Sequence, residues 1–449
     1  MDKHLNQDMS LDAFCARVFE AAKAADIAPA EIMAGSSEAF SVRVRDGALE
    51  DYKVSDRFHL TLRGYAGGRI GTASTQALDE ESIGMLIDGV RESAELIETD
   101  EQDEILPPDE AYGSVVNYSE AVNAISAEER IALAMEIDKR MHTEDARIKP
   151  DATVLSAAEE TMFLRNTLGL DLSHRSNMIY AYARCLAREN ESAATGFKLL
   201  WGYDRASVDP AQIAEGCIAD ALSKLSAGRM GSGARAVVIK NTAMADLLST
   251  FSGIFSADNA QKGLSLLAGR EGQKIAGEAV TITDDPLMPW GMASTPFDRE
   301  GAAAYTKHVV EHGVLTTLLH NRKTAKKAGC KTTGNAAGSG RVAPSNFYIA
   351  PGASSLEDLL LKMGEGLYVT EVSGLHAGAN AVSGDFSLLA RGFEVKDGKC
   401  VRAVEQITVA GNFYRLMEDI TAVGDDLIFD GSPIGSPAVA VRELSIAGE

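Results

Sequence analysis

The sequence predicts an α+β protein: two smaller units that mix helices with antiparallel sheet, then a large, mostly antiparallel β domain. Three observations predict it. Apolar and polar residues alternate on both sides of the turns at Asp46-Gly47 and Gly67-Gly68, as in a meander. Capped amphipathic stretches begin at Ser10, Ser126 and Asp209. Beyond residue 270 the chain reads as strand broken by turns at Asp284-Asp285-Pro286, His312-Gly313, Pro351-Gly352, Asp397-Gly398 and Gly411-Asn412.

The first unit spans residues 1–100. Leu11, Phe14, Cys15, Val18 and Ala22 recur at helical spacing behind Ser10. Phe40, Val42 and Val44, then Phe58, Leu60 and Leu62, give the strands. Ile83, Leu86, Ile87, Val90, Ala94 and Ile97 face one side of a second helix. Residues 98–113 are acidic and hold Pro107-Pro108, which reads as a linker. The second unit covers 114–228. Ser126 with Glu129 is a capping-box pattern, strands fall near 151–165 and 176–187, and Pro210 opens a helix. The third, 234–449, starts with the strand Ala236–Ile239 and a helix capped by Asn241. A further helix covers 355–364.

The chain has 449 residues, 45% of them hydrophobic, and a formal net charge of −22. Such a charge repels phosphate backbones, so no nucleic-acid partner is expected. The five cysteines are odd in number, widely spaced and free of CxxC, which argues against a disulfide framework or a zinc ribbon. No apolar run is long enough for a membrane span and the N-terminus has no signal-peptide pattern, so a cytoplasmic protein is expected.

His308-Val-Val-Glu311-His312 places two histidines four apart. That spacing converges on a metal only in a helix, and β-branched residues around His312-Gly313 predict a hairpin instead. Ser383, His376 and Asp385 lie close in sequence but without a nucleophile elbow, so they read as groups that bond their own loop. The stretches 263–272 and 334–340 are glycine-rich without a phosphate-binding pattern.

Gly384-Asp385-Phe386-Ser387, Arg391-Gly392-Phe393, Asp397-Gly398, Gly411-Asn412 and Val423-Gly424-Asp425-Asp426 stand in this order. With Ser294-Thr-Pro-Phe-Asp298-Arg-Glu300-Gly301 and Thr333-Gly334-Asn335 before them, they cover about half the chain. In them the sequence resembles the PmbA/TldD family of peptidase-complex proteins. The resemblance implies a zinc motif, HExxxH, on the first helix of the C-terminal domain in the catalytic TldD branch. The corresponding residues are Ser249-Thr250-Phe251-Ser252-Gly253-Ile254, and 430–437 lacks the branch's cysteine ligand. That implies the metal-free PmbA (TldE) branch, with no catalytic residue, metal ligand or cofactor in this chain and zinc in a TldD-like partner subunit. It also implies an unfolded or extended peptide as substrate, in leader-peptide removal or antitoxin turnover.

Thr333, Asn335, His376, Gly378, Asn380, Ser383 and Asp385 are expected to face substrate or partner. The glycines near 374–384 would present bare backbone to an extended peptide. Asp298 and Glu300 read as structural or subunit-facing, with Arg299 as a local counter-charge. Two other readings stay open: a stand-alone hydrolase with an unrecognised site, and a non-enzymatic homodimeric scaffold. Self-association without the partner is open too.

Overall fold

The computed structural model describes residues 9–96, 104–143, 145–225, 227–338 and 340–448. Ser10 caps α1 (Leu11–Ala24), its hydroxyl accepting the Ala13 N–H at 3.3 Å. The predicted meander follows as β1 (Ala30–Arg45), β2 (Ala48–Ala66) and β3 (Arg69–Thr75). Both its turns hold two consecutive residues at positive φ, +51° and +72° at Asp46-Gly47, +58° and +83° at Gly67-Gly68. Then come α2 (Glu80–Glu95), α3 (Glu120–Asn123), α4 (Ala127–Met141), β4 (Ile148–Asn166), β5 (Asp171–Glu189), β6 (Ser192–Gly202) and α5 (Pro210–Ser223). Ser126 and Glu129 form the predicted capping box, and Asp209 caps α5 ahead of Pro210.

β1 pairs with β4 from Glu31 to Val44, so these strands build one antiparallel sheet in the order β3-β2-β1-β4-β5-β6. Its two ends are covered separately. Helices α1 and α2 bury Phe14, Val18 and Val90 with Leu60 and Leu62, while α4 and α5 bury Ile137 and Cys217 with Leu155 and Ile179.

The C-terminal part begins with β7 (Gly233–Ile239), α6 (Asn241–Phe251) and α7 (Ala257–Gln261). Next are β8 (Ile282–Asp284), β9 (Lys307–Glu311), β10 (Val314–Leu315), α8 (Arg322–Ala328) and β11 (Phe347–Ile349). After α9 (Leu356–Met363) come β12 (Gly366–Ser373), α10 (Leu375–Gly378), β13 (Asp385–Lys396) and β14 (Lys399–Asn412). The chain closes with α11 (Phe413–Asp419), β15 (Ile420–Val423), β16 (Ile434–Gly435) and β17 (Val439–Ala447). Strands β14-β13-β12-β7-β17 close on themselves through β14–β17, giving a barrel-like sheet with β15 at its flank. A second sheet runs β10-β9-β8-β11-β16. Helix α6 lies in the core between them, burying Met244, Leu247, Leu248 and Phe251.

Three expectations change. Ile97 of the expected helix and residues 98–103 of the expected linker lie outside the described residues, but 104–118, without helix or strand, is not loose. Asn117 Nδ2 donates to Ser294 O (2.8 Å), Asp109 Oδ2 accepts the Ala303 N–H (2.7 Å), Ile105 is buried and Lys326 pairs with Glu104. Polar side chains dock this segment where its composition offers little apolar surface. Asn241 is the first residue of α6 rather than its cap; its amide is drawn away to Asp426. Asn412 is not a turn: it ends β14, and its side-chain Oδ1 caps α11 by accepting the Tyr414 N–H at 3.1 Å. Among the described residues no helix is long and apolar enough to cross a membrane.

Candidate functional site

The six residues 249–254 straddle the end of α6. The α-helix stops at Phe251 and a 3₁₀ turn, Ser252–Phe255, takes over. Phe251 and Ile254 point into the core, 0% and 2% exposed. Thr250 Oγ1 donates back to Asp246 O at 2.8 Å, and Ser252 Oγ to Ser249 O at 2.9 Å. Two of the hydroxyls are thus spent on the helix's own carbonyls, Ser249 is exposed, and Phe251 and Ile254 are held by packing. Against it leans α10, whose Leu375 joins the same core.

Helix α10 opens the stretch 374–387, which borders an open depression of about 710 Å³ lined by Ala377–Ala381 and Asp385–Ser387. Most of its polar groups serve the loop. Asn380 Oδ1 accepts the N–H groups of Val382 (3.0 Å) and Ser383 (3.1 Å). Ser383 Oγ donates to Asp385 Oδ2 at 2.8 Å, and Asn412 Nδ2 donates to Asp385 Oδ1 at 2.8 Å. These bonds, Asn412 first and Ser383 second, hold the Asp385 carboxyl below the usual carboxylate range. The serine proton goes to a carboxylate and not to an imidazole, so no nucleophile is prepared. His376 is exposed on α10.

Gly378 borders the depression, yet a packing reason fixes it. A Cβ there would stand 2.4 Å from Ser387 O, so the glycine lets α10 rest on β13. Gly384 has φ +82°, with the Tyr414 ring 2.5 Å from where a Cβ would be. The expected bare backbone is consumed inside the loop: Asn380 N–H bonds Asp385 O and Gly384 N–H bonds Asn380 O, both at 2.8 Å.

Thr333 and Asn335 sit elsewhere, 3% and 4% exposed, inside a buried polar network. Lys307 Nζ meets Asp284 Oδ2 at 2.7 Å and Asn335 Oδ1 at 3.1 Å. Asn335 Nδ2 donates to Asp284 Oδ2 (2.8 Å) and Ala343 O (3.1 Å), and Thr333 Oγ1 donates to Asn335 Oδ1 (2.7 Å). Ser345 closes the set with its N–H (2.6 Å) and hydroxyl (2.8 Å) on Asp284 Oδ1. Of the two, expected to face substrate or partner, Thr333 works inside the fold, while Asn335 touches the floor of a cleft lined also by Ser294–Thr295, Phe297–Arg299 and Gly334–Ala337.

Asp298 is buried. Its carboxylate accepts N–H groups from Glu300 (2.9 Å), Ala302 (3.0 Å) and Ala336 (3.0 Å), while burial pushes its pKa up. Arg299 makes no ion pair with it; three amides do that work. Glu300 Oε2 accepts the Arg322 N–H at 2.9 Å, at the start of α8. His308 lies on β9 and bonds Thr283 Oγ1 through Nδ1 at 3.0 Å, while His312 occupies the hairpin turn at φ +47°. They do not share a helix face.

Three domain profiles of the PmbA/TldA metallopeptidases match: domain 1 over residues 30–94, the central domain over 120–225 and the C-terminal domain over 232–448. The chain belongs to the PmbA/TldD family. Metalloprotease PmbA of Escherichia coli O157:H7 is 27% identical over 427 residues, 94% of this chain and 92% of that protein. A Thermotoga maritima structure described as a modulator of a DNA gyrase superposes with TM-score 0.92 at 31% identity, covering 98% of this chain and 100% of its own. TldE of Thermococcus kodakarensis shares the fold, TM-score 0.87 at 21% identity, over 97% of this chain and 100% of that one.

A metallopeptidase family implies zinc, and the residues at 249–254 do not fit it. Ser249 and Thr250 are weak donors and Ile254 offers none. Among the described residues no three His, Cys, Asp or Glu side chains converge as a metal site. Sequence reasoning missed Glu160 and His174, which β4 and β5 bring to the Asn335 cleft. No local signal marks them, since the contact exists only after the sheet docks.

Proposed function

We propose that this chain is the metal-free subunit of a TldD/TldE-type peptidase complex. It pairs in the cytoplasm with a zinc-bearing HExxxH chain and helps that partner process or degrade unfolded peptides, in leader-peptide removal or antitoxin turnover. One observation carries the reading: at the positions corresponding to the zinc motif's ligands and base stand Ser249, Thr250 and Ile254, with Ile254 turned into the core and the Thr250 hydroxyl spent on Asp246 O. When bound in the partner, zinc supplies the water-activating chemistry. This chain's residues bind and orient. Asn380 and Asp385, which line the depression beside α10, face an extended peptide there, with the exposed His376 next to them in the chain. Co-expression with a tagged HExxxH family member tests the reading. The two chains co-purify as a heterodimer if it holds; retention of neither chain by the other refutes it.

A further inference from the structure

A cleft of about 340 Å³ lies between the β4–β5 face and the C-terminal loops, away from the depression beside α10. One wall is Glu160 and Met162 on β4 with His174 and Ser176 on β5; the other is the segment Met292–Arg299. The walls are tied together. His174 Nε2 bonds Ser294 O at 3.1 Å, and Asn117 Nδ2 reaches the same oxygen at 2.8 Å. Burial holds the His174 pKa down, so its ring is neutral at neutral pH. Asp298 in the floor is occupied by its three amides.

Two charged side chains are left. Arg299 and Glu160 both line the cleft, both are solvent-exposed, and among the described residues neither has an ion-pair partner; the Arg299 backbone is fixed by its N–H to Ala336 O at 3.0 Å, which leaves the side chain to reach a ligand. In a protein of net charge −22 an unneutralised guanidinium in a cleft is a carboxylate receptor, and an unneutralised carboxylate facing the same space is an ammonium receptor. Met162, Met292 and Pro344 offer apolar surface between them. A volume of this size takes a peptide of about two or three residues.

We propose that this cleft binds the free ends of a short peptide, its carboxylate on Arg299 and its ammonium on Glu160. The proposal takes from the function above only that the ligand is a peptide. As a product-sized site it would hold cut fragments rather than the unfolded substrate.

Calorimetric titration of the full chain alone with trialanine tests it. One saturable site is expected, with N-acetyl-trialanine and trialanine amide each about tenfold weaker or worse. Arg299→Gln should erase the preference for acid over amide, and Glu160→Gln the preference for free over acetylated amine; Arg299→Lys should keep the first. Circular dichroism confirms that each variant is folded. The absence of saturable binding, equal affinity for the three peptides, or variants that weaken all three alike would overturn the proposal. Pairing with a zinc partner is not needed for this titration, so its failure and a failure of heterodimer formation are separate results.

Discussion

Phe251 lies ring on ring with Phe413, the centroids 4.5 Å apart and the planes 13° from parallel. Phe386 closes on the same ring at 6.3 Å. The end of α6 is thus clamped by the first residue of α11 and by β13. Phe251→Ala should lower stability by about 3–5 kcal/mol in chemical denaturation, through lost burial and a residual cavity. A change under about 1 kcal/mol would show that the ring is not part of the core.

The buried Lys307–Asp284 pair makes a second stability prediction. Lys307→Met leaves Asp284 charged, buried and short of its cation, which costs about 3–5 kcal/mol. Adding Asp284→Asn to that variant should recover part of the loss, because the stranded charge is gone. Urea unfolding of the two variants measures the difference. A double variant no more stable than Lys307→Met alone would contradict the coupling.

Gly378→Val should destabilise the protein by about 1–3 kcal/mol, since the new side chain collides with Ser387 O. His376→Ala, two residues earlier and exposed, should leave the melting temperature unchanged. Equal melting temperatures for Gly378→Val and the parent would restore Gly378 to a role in presenting open backbone.

Asp246 gives a pH dependence. Its side chain keeps a solvent-facing side on α6, but it stands in a cleft with Asp430 and Glu371. Partial burial first, then those two carboxylates, raise its pKa to about 6. A folded pKa above the unfolded one means that the native state holds the proton more tightly. The stability contributed is present at low pH and is lost as pH rises from the ordinary carboxylate range through about 6. Asp246→Asn should therefore raise the melting temperature above pH 7 and leave it unchanged near pH 4. The same shift at both pH values would contradict this.

Local chemistry made much of the fold legible. Ser126 with Glu129, Asp209 with Pro210, and the Asp-Gly turns each act within a few residues, and each appears where the sequence places it. Strand β6 escaped because Gly196 interrupts its pattern; that glycine lets α5 approach, a Cβ there being 2.1 Å from Cys217 O. The stretch beyond residue 270 reads as strand, yet much of 285–306 and 316–346 is irregular chain held by side-chain bonds to Asp284, Asp298 and Asn335. At the site, the internal bonding of Ser383 and Asp385 was legible from proximity. The cleft joining Glu160 and His174 to Arg299 was not, because those residues meet across more than a hundred positions.

Peptide hydrolysis by the purified chain, by an HExxxH-bearing partner and by the two mixed tests the central claim most directly. An unfolded peptide substrate should be cut by the mixture, with zinc required and with cleavage lost when the partner's motif glutamate is replaced. This chain alone should cut nothing, with or without added zinc. Zinc-dependent cleavage by the isolated chain would contradict the account.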